Sequence, residues 1–157
     1  MPLLAGRSMP DQANSNIVIR PAGPDHGAIA AKLIYSTHPT LFDDLYQGDR
    51  ALMEEVSAKI WEAKETIDSH TIAHGAYVDG QLVGLEVGGN NDLIRGRGEA
   101  EDAFVAQLIP TEINKEHKDR WRQSWLYAFP KFPDDTYYVG TLAVLPEWHG
   151  KGIGRLL

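Results

Sequence analysis

The chain has 157 residues, of which 43% are apolar and 24% charged. That is enough for one domain burying roughly 70% of its unfolded surface, and the balance excludes disordered and fibrous classes. It contains no cysteine, which removes disulfides, thiolate metal sites and a cysteine nucleophile together, and its formal charge of −7 argues against nucleic acid as a partner, since phosphate attraction needs a basic face.

No run of about 18 apolar residues exists to span a membrane. Residues 1–15 hold Pro2, Arg7, Pro10 and Asp11 without an apolar core, so they do not read as a secretory signal. They are expected to form a flexible arm, with the domain proper at 16–157 and a cytoplasmic location.

Asn16 to Pro21 reads as a first strand ended by proline. Pro24 to Tyr35 then places Ile29, Leu33 and Ile34 at helical spacing, with Asp25 near the positive end of the helix dipole. From Asp49 to Asp68, Leu52, Met53, Val56, Ile60, Ala63 and Ile67 recur at three- and four-residue steps and draw one apolar face, while Glu54, Glu55, Lys59, Glu62 and Lys64 fill the other. Thr71–Tyr77 and Gln81–Val87 flank Asp79-Gly80, a strong hairpin signal. In the second arm Val83, Leu85 and Val87 alternate with Leu82, Gly84 and Glu86, which puts Glu86 on the face opposite Val83.

Glu99 to Leu108 looks helical, and Pro110 can begin another helix carrying Ile113, Trp121 and Trp125. The intervening Arg95-Gly96-Arg97-Gly98 reads as solvent-exposed charge. His70 and His74 have the spacing of helix-borne metal ligands but fall where the pattern alternates like a strand, and no third ligand accompanies them, so no metal is expected. No Gly-x-Ser-x-Gly elbow supports a serine nucleophile.

The last twenty residues carry the strongest signal. An apolar strand, Tyr138 to Val144, meets Pro146 and then Gly150, Gly152 and Gly154 before what reads as a first helical turn. Glycine tolerates positive φ and carries no Cβ, so such a run can aim successive N–H groups into one concavity. At a helix start the unpaired amides and the dipole favour an anion there. Lys151 and Arg155 add positive charge against the acidic balance of the chain. A dinucleotide fingerprint would need glycine where Arg155 stands, and a triphosphate loop would need Gly-Lys followed by Ser or Thr, whereas Gly152 precedes Ile153.

The pattern from Leu142 to Gly154, Leu-Ala-Val-x-Pro-x-x-x-Gly-x-Gly-x-Gly, resembles the acetyl-CoA pyrophosphate motif of the Gcn5-related N-acetyltransferase (GNAT) superfamily, with His149 where that family usually has Gln or Arg. The resemblance implies an α+β acyl-CoA N-acyltransferase fold, a mixed central sheet flanked by helices. The early strand and helix and the Asp79-Gly80 hairpin match its beginning. It implies a helical insertion at about 90–135, where the family needs only a short turn, and a domain ending at Leu157 before the family's C-terminal strands, so that the chain is a fragment or a natural truncation. The fourth strand would then be an open edge that aggregates unless a partner or a homodimer covers it.

For function, the resemblance implies acetyl-CoA as co-substrate and an amine of a small molecule or peptide as acceptor. Leu142, Ala143, Val144, His149, Gly150, Lys151, Gly152, Ile153, Gly154 and Arg155 are the expected cofactor-binding residues, the strand through its backbone and the loop through its amides. A protonated alkylammonium, with pKa near 10.4, cannot attack a thioester, so a base must take its proton. Glu86 and Tyr138 are the catalytic candidates, with Asp134 and Asp135 beside them; histone-type relatives have a glutamate where this chain has Tyr138. Phe42 and Tyr46, in the segment between the first two helices, and Trp125, with Trp121, Tyr127 and Phe129, are candidates for the acceptor pocket. A non-catalytic coenzyme A-binding remnant or regulatory module, and more weakly a nucleotide-binding domain, remain open.

Overall fold

The structure, a computed structural model, describes residues 16–113, 115, 119, 120, 133 and 135–157. The N-terminal arm, Trp121, Trp125, Tyr127, Phe129 and Asp134 lie outside the described residues.

Four strands, β1 (Ile17–Pro21), β2 (Ala73–Val78), β3 (Gln81–Asn90) and β4 (Tyr137–Val144), form one sheet in the order β1-β2-β3-β4. Every described pairing is antiparallel, so the mixed sheet expected from the sequence is antiparallel throughout these strands. The hairpin joins β2 to β3 through Asp79 (φ 50°) and Gly80 (φ 81°), the left-handed pair that a two-residue turn of this hand requires.

Two bulges change what the alternation predicted. Ala76 pairs with Gly84 but Tyr77 with Leu82, leaving Val83 extra, so Val83 joins the cluster of Ala76, Val78 and Ile153 while Leu85 and Val87 face the opposite side. Val83 and Glu86 therefore share a face, contrary to the expectation, because one inserted residue reverses side-chain parity. In β4, Val87 pairs with Thr141 and Gly88 with Val139, leaving Gly140 extra.

Helices α1 (Gly27–Thr37), α2 (Pro39–Leu45) and α3 (Arg50–Glu62) follow β1, α1 after a 3₁₀ turn at Pro24–His26. The Asp49 carboxylate caps α3 by accepting from the Leu52 amide at 3.0 Å. The sequence pattern carried this helix to Asp68, but it stops at Glu62, where the Thr66 hydroxyl turns back to donate to the Ile60 carbonyl at 2.7 Å. Helix α4 (Asn91–Leu108) begins directly after β3 and includes Gly96 and Gly98, although each costs about 0.5–1 kcal/mol relative to alanine. Burial of Ile94 and Val105 offsets that cost. Arg97 is not solvated as expected: its Nη1 donates to the Thr66 carbonyl and the Thr71 hydroxyl, at 3.0 and 2.9 Å. A short α5 (Ile153–Leu156) follows β4.

One apolar cluster lies between the sheet and α1 and α3, joining Leu33, Ile34 and Trp61 to Leu85, Val87 and Ala143. A second joins α2, α3 and α4 through Leu45, Met53, Val56, Ile60 and Val105. The third, smaller, sits on the other face around Ile153. Among the described residues no helix is long and apolar enough to cross a membrane.

Candidate functional site

β4 is an edge strand of the described sheet, and its end is placed by the amide of Leu145, which donates to the Val83 carbonyl at 2.8 Å. Main-chain groups alternate in direction along an antiparallel ladder. With Leu145 turned toward β3, Ala143 is turned the same way and the N–H and C=O groups of Leu142 and Val144 point outward. The Leu142 side chain is 47% exposed, whereas that of Ala143 is buried under α1.

Beyond Leu145 the chain makes a 3₁₀ turn, Pro146–Trp148, closed by Trp148 N–H to the Leu145 carbonyl (2.9 Å) and His149 N–H to the Pro146 carbonyl (3.1 Å). Gly150 (φ 76°) and Gly152 (φ 80°) then adopt the left-handed conformation, and nothing lies within 4 Å of where a Cβ would stand on either. Gly152 is the N-cap of α5. The amides of Gly150, Lys151, Gly152, Ile153 and Gly154 have no backbone acceptor among the described residues, and the next intrahelical bond is that of Arg155 to the Gly152 carbonyl at 3.0 Å. Alternating left- and right-handed residues curl such amides into a concave anion-binding surface. The Lys151 ammonium lies 4.0 Å over the Trp148 ring, and the exposed Arg155 is in the last turn of α5. The His149 ring is turned back to β4, its Nε2 2.7 Å from the Val144 carbonyl oxygen.

The two catalytic candidates stand on opposite faces of the sheet. Glu86 is directly across from Leu142, which places the two side chains side by side on one face. It is 6% exposed, accepts from the Tyr137 hydroxyl at 3.1 Å and has Nδ1 of His74 3.5 Å away. Burial, then the Glu86 hydrogen bond, raise the Tyr137 phenol above its ordinary pKa. Tyr137 was not singled out from the sequence, and His74 was considered there only as a metal ligand. The hairpin register alone sets His74 opposite Leu85, and only the Val83 bulge brings it to Glu86.

Tyr138 faces the helices. Burial, then the charge of Asp68, raise its pKa. Asp68 accepts from the Thr141 hydroxyl, and burial pushes its carboxyl up to about 6. Glu101 on α4 accepts from the amides of Ile67 (2.7 Å) and Asp68 (3.4 Å), and burial followed by the Asp68 charge pushes it up to about 8. Two facing carboxyls in a water-poor site retain a proton into the neutral range. The buried Tyr46 completes this group, its phenol held neutral by burial and then by Glu101 and Asp68. Phe42 packs between the two helix-side clusters. The sequence pattern had carried α3 to Asp68 and placed Glu101 within a separate helix without pairing the two; only the early stop of α3 brings them together.

Among the described residues no group of three or more His, Asp or Glu could hold a metal ion. His70 Nδ1 is 2.8 Å from the Trp61 carbonyl, and His74 lies beside Glu86. Asp135 is exposed in the turn before β4.

No protein-family model matches the chain, and no curated protein sequence matches it. Among solved structures, an N-acetyltransferase from Staphylococcus aureus Mu50 is similar at a TM-score of 0.70 and 19% identity, over 89% of this chain and 72% of that one. A second structure, described as an acetyltransferase, is similar at 0.61 and 17%, over 89% and 69%. At such identities the likeness concerns architecture, and the chain adopts the α+β fold of these acetyltransferases.

Proposed function

We propose that the protein is an N-acetyltransferase that moves the acetyl group of acetyl-CoA to a primary amine of a small molecule or peptide, by direct attack within a ternary complex. The observation that carries this reading is the set of uncapped amides from Gly150 to Gly154 at the end of an edge strand with outward main-chain groups. The space over Gly150 and Gly152 fits a diphosphate, and the outward groups of Leu142 and Val144 fit the two secondary amides of a pantetheine arm. The fold shared with the two acetyltransferases supports the same reading.

When bound, acetyl-CoA supplies an already activated acyl thioester, so no covalent enzyme intermediate is needed. The chain's own residues then have three tasks. The loop amides hold the diphosphate, with Lys151 and Arg155 adding positive charge around it. The outward N–H of Leu142 or Val144 steadies negative charge developing on the thioester oxygen. Glu86, opposite Leu142, takes the proton of the incoming ammonium directly or through water. Its contact with Tyr137 steadies the carboxylate, and His74 provides a nearby group to pass the proton on.

A second reading, a non-catalytic coenzyme A-binding module, is favoured by the placement of Glu86 and Tyr138 on opposite faces of the sheet, which does not assemble both candidates at one point. Acetyl-CoA binding measured by calorimetry, together with thiol release across a panel of amines, separates the two. Binding with thiol release supports the transferase, binding without release across a broad panel supports the module, and preference for ATP or NAD over acetyl-CoA overturns both.

A further inference from the structure

The His149 ring occupies a position that the coenzyme A reading requires for something else. Val144 is the last residue of β4 before the glycine loop, and its carbonyl is outward-facing. A pantetheine arm leaving the loop and running along this edge meets that acceptor first, yet Nε2 of His149 already lies 2.7 Å from it. A carbonyl oxygen can only accept, so Nε2 carries the hydrogen and the neutral ring is fixed as the Nε2–H tautomer.

The backbone around His149 does not depend on this contact. Its amide is held by the Pro146 carbonyl at 3.1 Å, and Trp148 by Leu145 at 2.9 Å, so the turn stays closed if the ring moves. The residue is exposed, and the following Gly150 presents no side chain to obstruct it. Release of the ring therefore costs one hydrogen bond and leaves the loop geometry intact.

We propose that His149 is a latch on the pantetheine-binding edge: its ring holds the Val144 carbonyl in the free protein and is exchanged for an amide N–H of the arm when acetyl-CoA binds. This rests on the coenzyme A reading above. The exchange replaces one donor by another at a single acceptor, so only ligands that carry the arm work against the latch. Ligands that reach only the glycine loop leave it shut. His149 thus sets a selective cost on arm-bearing ligands, to be recovered only by those with an amide donor at that place.

The experiment compares wild type, His149→Ala and His149→Gln for binding of acetyl-CoA and of adenosine 3′,5′-bisphosphate, a nucleotide without the arm. His149→Ala should bind acetyl-CoA about three- to tenfold tighter, the range set by the net worth of one hydrogen bond, with affinity for the bisphosphate unchanged. His149→Gln, which can still donate to Val144, should stay near wild type. Ring ¹⁵N shifts of His149 provide a readout separate from affinity: the Nε2–H tautomer in the free protein, lost on adding acetyl-CoA and kept on adding the bisphosphate. Unchanged or weaker acetyl-CoA binding by His149→Ala, equal changes for both ligands, or a ring spectrum indifferent to acetyl-CoA overturns the latch while leaving the coenzyme A reading standing. Failure of wild type and His149→Ala alike to bind acetyl-CoA removes the coenzyme A reading, and the latch with it.

Discussion

Gly152 and Gly154 stand two residues apart, and alanine at each should act with opposite sign. Gly152 has φ 80° and open space around the site of a Cβ, so alanine there meets no clash but must hold a left-handed backbone, which costs about 1–2 kcal/mol. For a domain of this size that lowers Tm by about 2–8 °C. Gly154 lies inside α5 in ordinary helical conformation, and its added Cβ would sit 4.0 Å from Val144 Cγ2. Alanine there stabilises by about 0.5–1 kcal/mol.

Ligand binding divides the two further. The open space over Gly152 is where the diphosphate would lie, whereas the Gly154 Cβ faces Val144. At about 100 times its Kd, acetyl-CoA stabilises a folded protein by about 2.7 kcal/mol, a rise in Tm of about 5–10 °C here. Thermal unfolding with and without acetyl-CoA should give the full rise for wild type and Gly154→Ala and little for Gly152→Ala at the same concentration. Because the ligand-induced rise depends on Kd and not on the starting stability, lost folding energy cannot imitate this result. An undiminished rise in Gly152→Ala would refute the assignment of the loop as the diphosphate cradle.

Glu86→Gln should lower kcat by about 10²- to 10⁴-fold, the usual worth of a general base, and leave acetyl-CoA affinity unchanged; steady-state kinetics retaining wild-type kcat would place the base elsewhere. The pair Asp68 and Glu101 should make stability depend on pH. Their ordinary values of 3.8 and 4.5 rise in the folded protein to about 6 and 8, so the unfolded chain releases its protons near pH 4 while the folded protein keeps them. Their contribution is fully present below pH 4 and is lost as pH rises toward 8. Glu101→Gln should flatten the fall in urea midpoint between pH 5.5 and 8.5, and a slope equal to that of wild type would refute the assignment. Asp49→Ala removes the cap on the Leu52 amide and should cost about 1 kcal/mol, read as a Tm lower by about 2–4 °C.

The elements most legible from sequence were those whose signals are local. Asp79-Gly80 required left-handed backbone at both residues, which fixed a hairpin wherever the flanking strands lay. The glycine run after Val144 carried its own conformational requirement, and Gly150 and Gly152 adopt it. The apolar spacing in Arg50–Glu62 identified a core-facing helix, because a period of 3.6 residues buries one side whatever it packs against.

The tertiary structure decided everything that depends on parity, endpoints or distant partners. A single extra residue at Val83 reversed which side chains share the Glu86 face, and alternation cannot reveal a bulge. The apolar stripe ran on to Ile67, but the Thr66 hydroxyl ended α3 early and brought Asp68 to Glu101, a residue distant in sequence, beneath β4. The direction of the Val144 carbonyl, and with it the seat of the His149 ring, followed from one ladder bond between Leu145 and Val83. Local conformational preference is written residue by residue in the chain, whereas side-chain neighbours arise only when strand register and helix ends are fixed together by packing.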